Sequence, residues 1–261
     1  HASLVRPWMR VTVQFGRKKT YTAVIQKIHS HKPDGYEVKS ILSVVDDVPV
    51  VNEHQFRLWE WISDYYMCNL GEVYKAALPS GLKFISAARK TRGKSLKKNT
   101  SGNESEGFEP VGTRFTELSP AQEAALHEIR ESFQTSGVVL LHGVTSSGKT
   151  EIYIRLIREA LEQGKQVLYL LPEIALTTQI MQRLRAAFGN LVAVYHSRFT
   201  DRERVETWKK LMHPGGDPIG IVLGARSAVF LPFSHTGLII IDEEHENTYK
   251  QFDPAPRYHA R

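Results

Sequence analysis

The octapeptide Gly143-Val144-Thr145-Ser146-Ser147-Gly148-Lys149-Thr150 limits the fold of this chain more than any other feature, because it fits G-x-x-x-x-G-K-[ST]. It lies between an apolar run at residues 138–141 and a helix-like pattern at residues 151–163. A strand, a glycine-rich turn and a helix in that order are the setting a phosphate-cradling loop requires. The glycines let backbone N–H groups face phosphate oxygens, and the helix N-terminus adds its dipole. Lys149 would reach β- and γ-phosphates, and the Thr150 hydroxyl would ligand Mg²⁺. The bland alternative is a tight turn that happens to contain Lys and Thr.

Beyond this loop, short β-branched runs alternate with amphipathic segments. Residues 167–171, 192–195, 219–223 and 238–241 read as strands, and residues 177–188 and 202–212 as helices. The alternation predicts an α/β fold, a parallel sheet with helices on both faces. The last run, Leu238-Ile239-Ile240-Ile241, delivers Asp242-Glu243-Glu244-His245 at its C-terminal end. Acids at that end of such a sheet stand beside the phosphate loop. Asp242 would hold Mg²⁺, directly or through water, and Glu243 would orient and deprotonate an attacking water. An acid cluster after a strand is by itself equally a helix N-terminal charge. Paired with the phosphate loop, it reads as a nucleoside triphosphatase.

The N-terminal part has a different texture. Residues 10–51 alternate in short runs punctuated by Gly16, Pro33, Asp34 and Gly35, which predicts antiparallel strands and turns. From residue 52 to 78 the spacing becomes helical, with Phe56, Trp59, Ile62 and Tyr66 on one face, a break at Gly71 and a close at Pro79. These aromatics read as core rather than as a base-stacking surface. Then Lys83, Arg89, Lys90, Arg92, Lys94, Lys97 and Lys98 come with no acid before Glu104. That composition predicts a flexible basic linker, serving as a solvated tether or as a phosphate contact. The expected organisation is a small β-rich domain at 1–82, a linker at 83–114 and an α/β lobe at 115–261.

A formal net charge of +6 favours a polyanionic partner without requiring one. The one cysteine, Cys68, excludes an internal disulfide and a cysteine zinc site, and its helical aromatic setting predicts a buried structural thiol. No apolar run approaches the roughly 20 residues of a membrane span. The first residues form no apolar signal region and lack an initiator Met. The expectation is a cytoplasmic protein without membrane contact, and a piece of a longer chain.

Asp242-Glu243-Glu244-His245 is similar to the DEAH-type box of superfamily-2 helicases and translocases, and the resemblance implies that His245 couples hydrolysis to strand binding. Leu118-Ser119-Pro120-Ala121-Gln122 resembles the adenine-reading glutamine element of those enzymes, with Gln122 as the reader. The same residues equally start a helix, with Ser119 as N-cap and Pro120 at the first helical position. Three further segments narrow the resemblance to the primosomal replication-restart DNA helicases. They are the stretch from Leu170 through Pro172, Glu173 and Thr177 to Gln179, the motif Gly224-Ala225-Arg226-Ser227, and an aromatic-rich segment holding Tyr249, Lys250, Gln251, Phe252, Arg257 and Tyr258. Near the N-terminus, residues 11–19 with Gly16 and residues 37–46 with Lys39 resemble that family's 3′-end-capturing domain.

The resemblance implies a RecA-like P-loop lobe preceded by a barrel-like 3′-end-binding domain, using ATP and Mg²⁺ to drive 3′→5′ DNA unwinding at stalled forks. It places DNA contacts at Gly16, Lys39, Thr177, Arg226, Ser227, Tyr249, Lys250, Phe252, Arg257 and Tyr258, with partners among primosome proteins and single-strand-binding protein. Four parts of the family pattern are missing: a Phe-Asp pair at the N-terminus, a winged-helix module, the second motor lobe and a paired-cysteine zinc region. The expectation is a monomeric fragment that binds nucleotide and DNA but hydrolyses poorly, with zinc only in the missing C-terminal part. The alternatives are another superfamily-2 motor, such as an RNA helicase or restriction translocase, and a non-catalytic DNA-binding fragment.

Overall fold

The computed structural model describes residues 5–16, 19–31, 34–35, 38–83, 117–144, 147–175, 178–213 and 218–261. The basic linker expected at 83–114 lies outside the described residues, apart from Lys83. The chain begins with three antiparallel strands, β1 (Arg10–Phe15), β2 (Lys19–Val24) and β3 (Ile41–Val44), in the order β2-β1-β3. Three helices follow, α1 (Glu53–Tyr65), α2 (Leu70–Ala77) and α3 (Ser80–Lys83). The break between α1 and α2 falls at Met67, whose φ is 49°, and not at Gly71, which lies inside α2. The stop is set by what comes next: Asn69 caps α2 reciprocally with Glu72, so a new helix starts before the old pattern runs out. Cys68, at this break, is half-buried rather than enclosed, and burial raises its thiol above the ordinary range.

Helix α4 (Pro120–Thr135) precedes the phosphate loop. Beyond the loop the order is α5 (Lys149–Glu162), β4 (Gln166–Leu170), α6 (Thr178–Phe188), β5 (Val192–Tyr195), α7 (Asp201–Met212), β6 (Ile221–Gly224), a 3₁₀ turn at Arg226–Phe230, and β7 (Thr236–Ile241). The four strands form one parallel sheet in the order β5-β6-β4-β7.

Alternation along the strands divides two cores. Val167, Tyr169 and Leu171 face one side with Ile221 and Leu223, where Ile154 and Ile157 of α5 and Leu184 of α6 cover them. Leu168, Leu170 and Val222 face the other side. That second face is covered by Trp208 and Leu211 of α7 together with Phe56, Trp59, Ile62 and Val73 of α1 and α2. Helices α1 and α2 therefore complete the hydrophobic core of the parallel sheet. The Trp208 Nε1–H donates to the Val50 carbonyl at 2.7 Å, and the Gln55 amide donates to the Phe230 carbonyl at 2.7 Å. The small sheet is tied on by Arg10, whose buried guanidinium forks onto the Asp46 carboxylate and also donates to the Leu82 carbonyl.

One expected strand is not formed. Residues 138–141 are in no strand, and Val138 is 83% exposed. Leu141 still packs on the core beneath α4 and α5. Period and apolarity ask for a neighbouring strand, and among the described residues β7, the edge of the sheet, pairs only with β4.

Candidate nucleotide and nucleic-acid site

The phosphate loop is built by two glycines and one lysine. Gly148 sits at φ +80° as the N-cap of α5, and a Cβ there would lie 2.2 Å from the Gln122 amide nitrogen, so only glycine fits. Among the described residues no side chain caps α5, whose first N–H groups are of the kind that receive an anion. Lys149 Nζ donates to the Gly143 carbonyl at 2.5 Å and to the Val144 carbonyl at 3.1 Å, so its ammonium is held over the loop. Gln122 serves the helix start and also reaches the phosphate loop. Its side-chain oxygen accepts from the Ser119 N–H at 2.8 Å in a capping box, and its amide donates to the Gly148 carbonyl at 3.2 Å. Ser147 is exposed and Thr150 half-buried. Thr145, Ser146 and Thr177 lie outside the described residues.

The acid box follows directly from sheet register. Leu170 pairs with Ile241, and the Asp242 N–H continues the ladder by donating to the Leu170 carbonyl at 3.1 Å. Asp242 is half-buried, and both of its carboxylate oxygens have donors. The Tyr169 hydroxyl donates to Oδ2 at 3.1 Å, and the Glu243 N–H donates to Oδ1 at 3.1 Å. Glu243 is exposed and takes φ +50°, an uncommon conformation for a non-glycine residue. The Tyr169 ring meets the Tyr153 ring edge-to-face at 5.7 Å, and Tyr153 lies one turn beyond Thr150 on α5. Burial first, then the Asp242 carboxylate, raises both phenols well above their ordinary range, so both stay protonated donors. A chain of contacts thus links the phosphate-loop helix to the acid box. His245 is exposed, with Glu246 as its nearest acid at 4.0 Å.

Behind the box, Tyr249 sends its hydroxyl back to the Asp242 carbonyl at 2.5 Å and to the Leu170 carbonyl at 3.2 Å. Arg226 donates to the Lys250 carbonyl at 2.7 Å, joining the Gly224–Ser227 motif to the aromatic segment. Gly224 permits this: a Cβ would lie 2.5 Å from that of Ala228 and 2.8 Å from the Tyr195 carbonyl. Arg261 pairs with Glu244 of the box. Two expected strand-contacting residues are corrected. Tyr249 and Tyr258 are 1% and 2% exposed, buried among Leu170, Trp208 and Phe230, and neither ring faces solvent for a base. Apolar area wins because both rings fall over the sheet face that α1 and α7 also cover. Phe252 is 59% exposed, with Lys250 Nζ 5.1 Å from its ring centre, and Arg257 is exposed beside Asp253. Ser227 is half-buried. In the small sheet, Lys39 Nζ donates to the Gly16 carbonyl at 2.9 Å, which brings these two residues together.

The Thr150 hydroxyl and Asp242 carboxylate are hard oxygen donors of the kind that suit Mg²⁺, which takes few protein ligands and keeps its waters. Among the described residues, no cluster of three or more His, Cys, Asp or Glu side chains could cage a metal. Tyr169 and the Arg226 bridge were missed from sequence. A tyrosine in a buried run signals only that its hydroxyl needs a partner.

A parallel sheet carrying a phosphate loop at one helix and Asp-Glu-Glu-His at the end of β7 defines the class, and the family model for the DEAD/DEAH box helicase matches residues 119–261. The chain belongs to that family. A second family model, for the 3′ DNA-binding domain of PriA, matches residues 2–79. Relatives of the chain include replication restart proteins PriA. That of Treponema pallidum is 34% identical over 268 residues, covering 100% of this chain and 37% of its own length. That of Rickettsia conorii is 37% identical over 256 residues, covering 96% of this chain and 35% of its own. That of Bacillus subtilis is 47% identical over 146 residues, covering 55% of this chain and 18% of its own. The chain thus spans little more than a third of the length of the Treponema and Rickettsia relatives.

Proposed function

We propose that this chain is the strand-end-recognising and nucleotide-binding part of an ATP-driven 3′→5′ DNA helicase of replication restart, acting on stalled forks with a nascent 3′ end. The observation that carries the reading is the double attachment of Asp242. Through Tyr169 and Tyr153 it touches the phosphate-loop helix, and through Tyr249 it touches the aromatic segment. An acid box held from both sides is suited to pass strand occupancy to the nucleotide.

Lys149 would exchange its two loop carbonyls for β- and γ-phosphate oxygens, helped by the uncapped N–H groups of α5. Thr150 and Asp242 would hold Mg²⁺, which when bound neutralises charge developing on the phosphates. Glu243 would orient a water and take its proton, Gln122 would read the adenine edge, and His245 would relay strand binding. On the strand side, Phe252, Lys250 and Arg257 offer an exposed ring and two cations for stacking and phosphate contact. Arg226 supports that segment, Ser227 beside it would contact the strand, and Lys39 with Gly16 would meet the 3′ terminus. Arginines from a second lobe normally stabilise the transition state, so this chain alone would bind nucleotide but turn over poorly. Primosome proteins and single-strand-binding protein are the partners proposed, with the chain monomeric in the cytoplasm. Among the described residues, no helix is long and apolar enough to cross a membrane.

The test is binding to forks that differ only at the leading-strand end. The reading expects a free DNA 3′-OH to bind tighter than a 3′-phosphate or an RNA end. Equal affinity for RNA ends would favour a different superfamily-2 motor.

A further inference from the structure

Tyr169 is a buried tyrosine in the middle of a parallel sheet, where any large aliphatic residue would fill the volume. Among the described residues its hydroxyl makes one hydrogen bond, to Asp242 Oδ2 at 3.1 Å. The other oxygen of that carboxylate accepts from the Glu243 N–H. The Tyr169 hydroxyl from the strand beside it and the Glu243 N–H from the residue after it fix the plane of the carboxylate, and the Tyr153 hydroxyl of α5 faces it as a further donor. Each oxygen keeps acceptor capacity for an ion or an ion-bound water. The donor itself cannot swing, because the Tyr169 ring is clamped by the Tyr153 edge at 5.7 Å and by the core between α5 and the sheet. Removing the hydroxyl while keeping the ring would leave Tyr153 as the remaining phenol on the half-buried Asp242 carboxylate and give that side chain more freedom to rotate. The same rotation would release the Glu243 N–H that helps hold Glu243 at its positive φ.

We propose that Tyr169 is a positioning residue that fixes the Asp242 carboxylate and so sets the magnesium concentration at which the chain binds nucleotide. This rests on the reading of Asp242 as a Mg²⁺-holding residue. Groups that orient a metal-binding side chain commonly matter to metal affinity almost as much as the ligand itself.

The experiment measures binding of a fluorescent ATP analogue to the full 261-residue chain, with Mg²⁺ titrated and, separately, with Mg²⁺ chelated. The variants are Tyr169→Phe, Asp242→Asn and the double variant. The expected result is a roughly tenfold higher Mg²⁺ midpoint for Tyr169→Phe, with affinity in chelator unchanged. On the Asp242→Asn background, Tyr169→Phe should shift nothing further. Tyr169→Met, which also lacks the donor but fills the site flexibly, should reproduce the shift and serves if the Phe variant does not fold. A wild-type Mg²⁺ midpoint in Tyr169→Phe, with Mg²⁺ dependence lost in Asp242→Asn, overturns the positioning role and leaves Asp242 in place. A wild-type midpoint in Asp242→Asn removes the underlying reading as well.

Discussion

The Tyr249 hydroxyl donates to the main-chain carbonyl of Asp242 at 2.5 Å, across seven residues of chain that turn the aromatic segment back onto the sheet. The acid box is therefore anchored by its backbone to the element behind it. Because the ring is buried, that anchor belongs to the folded core and not to a surface loop.

Tyr249→Phe keeps the ring and deletes the anchor. The Leu170 carbonyl retains the Asp242 N–H as a donor, but the Asp242 carbonyl loses the hydroxyl. A loss of about 1–2 kcal/mol in unfolding free energy follows from a buried acceptor left unpaired. Denaturant titration should show a lower midpoint with an unchanged slope. An unchanged midpoint would mean that water replaces the hydroxyl at no cost.

Gly148→Ala tests the loop. An added methyl group would meet the Gln122 amide, and φ +80° is itself unfavourable for alanine by about 1–2 kcal/mol. The variant should fold, melt lower, and lose nucleotide affinity by roughly tenfold or more, because the α5 N-terminus is displaced from its phosphates. Retained affinity would place the nucleotide elsewhere.

Stability should fall with acid through two histidines. His196 Nδ1 accepts from the Arg198 N–H at 3.1 Å, and His259 Nδ1 accepts from the Arg261 N–H at 3.3 Å, so both rings are held neutral on that nitrogen. Burial first, then Arg198, lowers the His196 pKa below 6.5, against opposing pulls from Glu173 and Glu203. Burial, then Arg261 and Lys250, lowers that of His259, opposed by Glu244. A lowered folded-state pKa means that the unfolded chain binds more protons, so stability is complete above 6.5 and is lost as pH falls beneath it. Melting temperature measured against pH should decline on that side. His196→Asn, which keeps an acceptor without titrating, should flatten part of the decline.

Much of this was legible because local chemistry dictates it. The phosphate loop announces itself in Gly143, Gly148, Lys149 and Thr150, and Ser119 and Pro120 mark the start of α4 to the residue. Strand and helix alternation gave the parallel sheet, since period and β-branching are local properties. What was not legible depends on partners far along the chain. Tyr249 and Tyr258 carry the residue types of a stacking surface, and only the sheet face beneath them makes them core. Residues 138–141 look like a strand, but a strand needs an adjacent one, and no local pattern supplies it. The helix that the spacing ran through Tyr66 ends there because Asn69 and Glu72 start another. That α1 and α2 roof the parallel sheet follows from long-range contacts such as Gln55 to Phe230, which spacing cannot encode.

The most direct test of the account is Mg²⁺-dependent binding of a fluorescent ATP analogue to the wild-type chain and to Lys149→Ala. The account predicts saturable, Mg²⁺-dependent binding by the wild type. It also predicts a loss of roughly tenfold or more in the variant, since a charge-assisted contact to phosphate is worth about 1.5–3 kcal/mol. Equal binding by the two proteins would contradict it, because the ammonium held over Gly143 and Val144 would then play no part in holding a nucleotide.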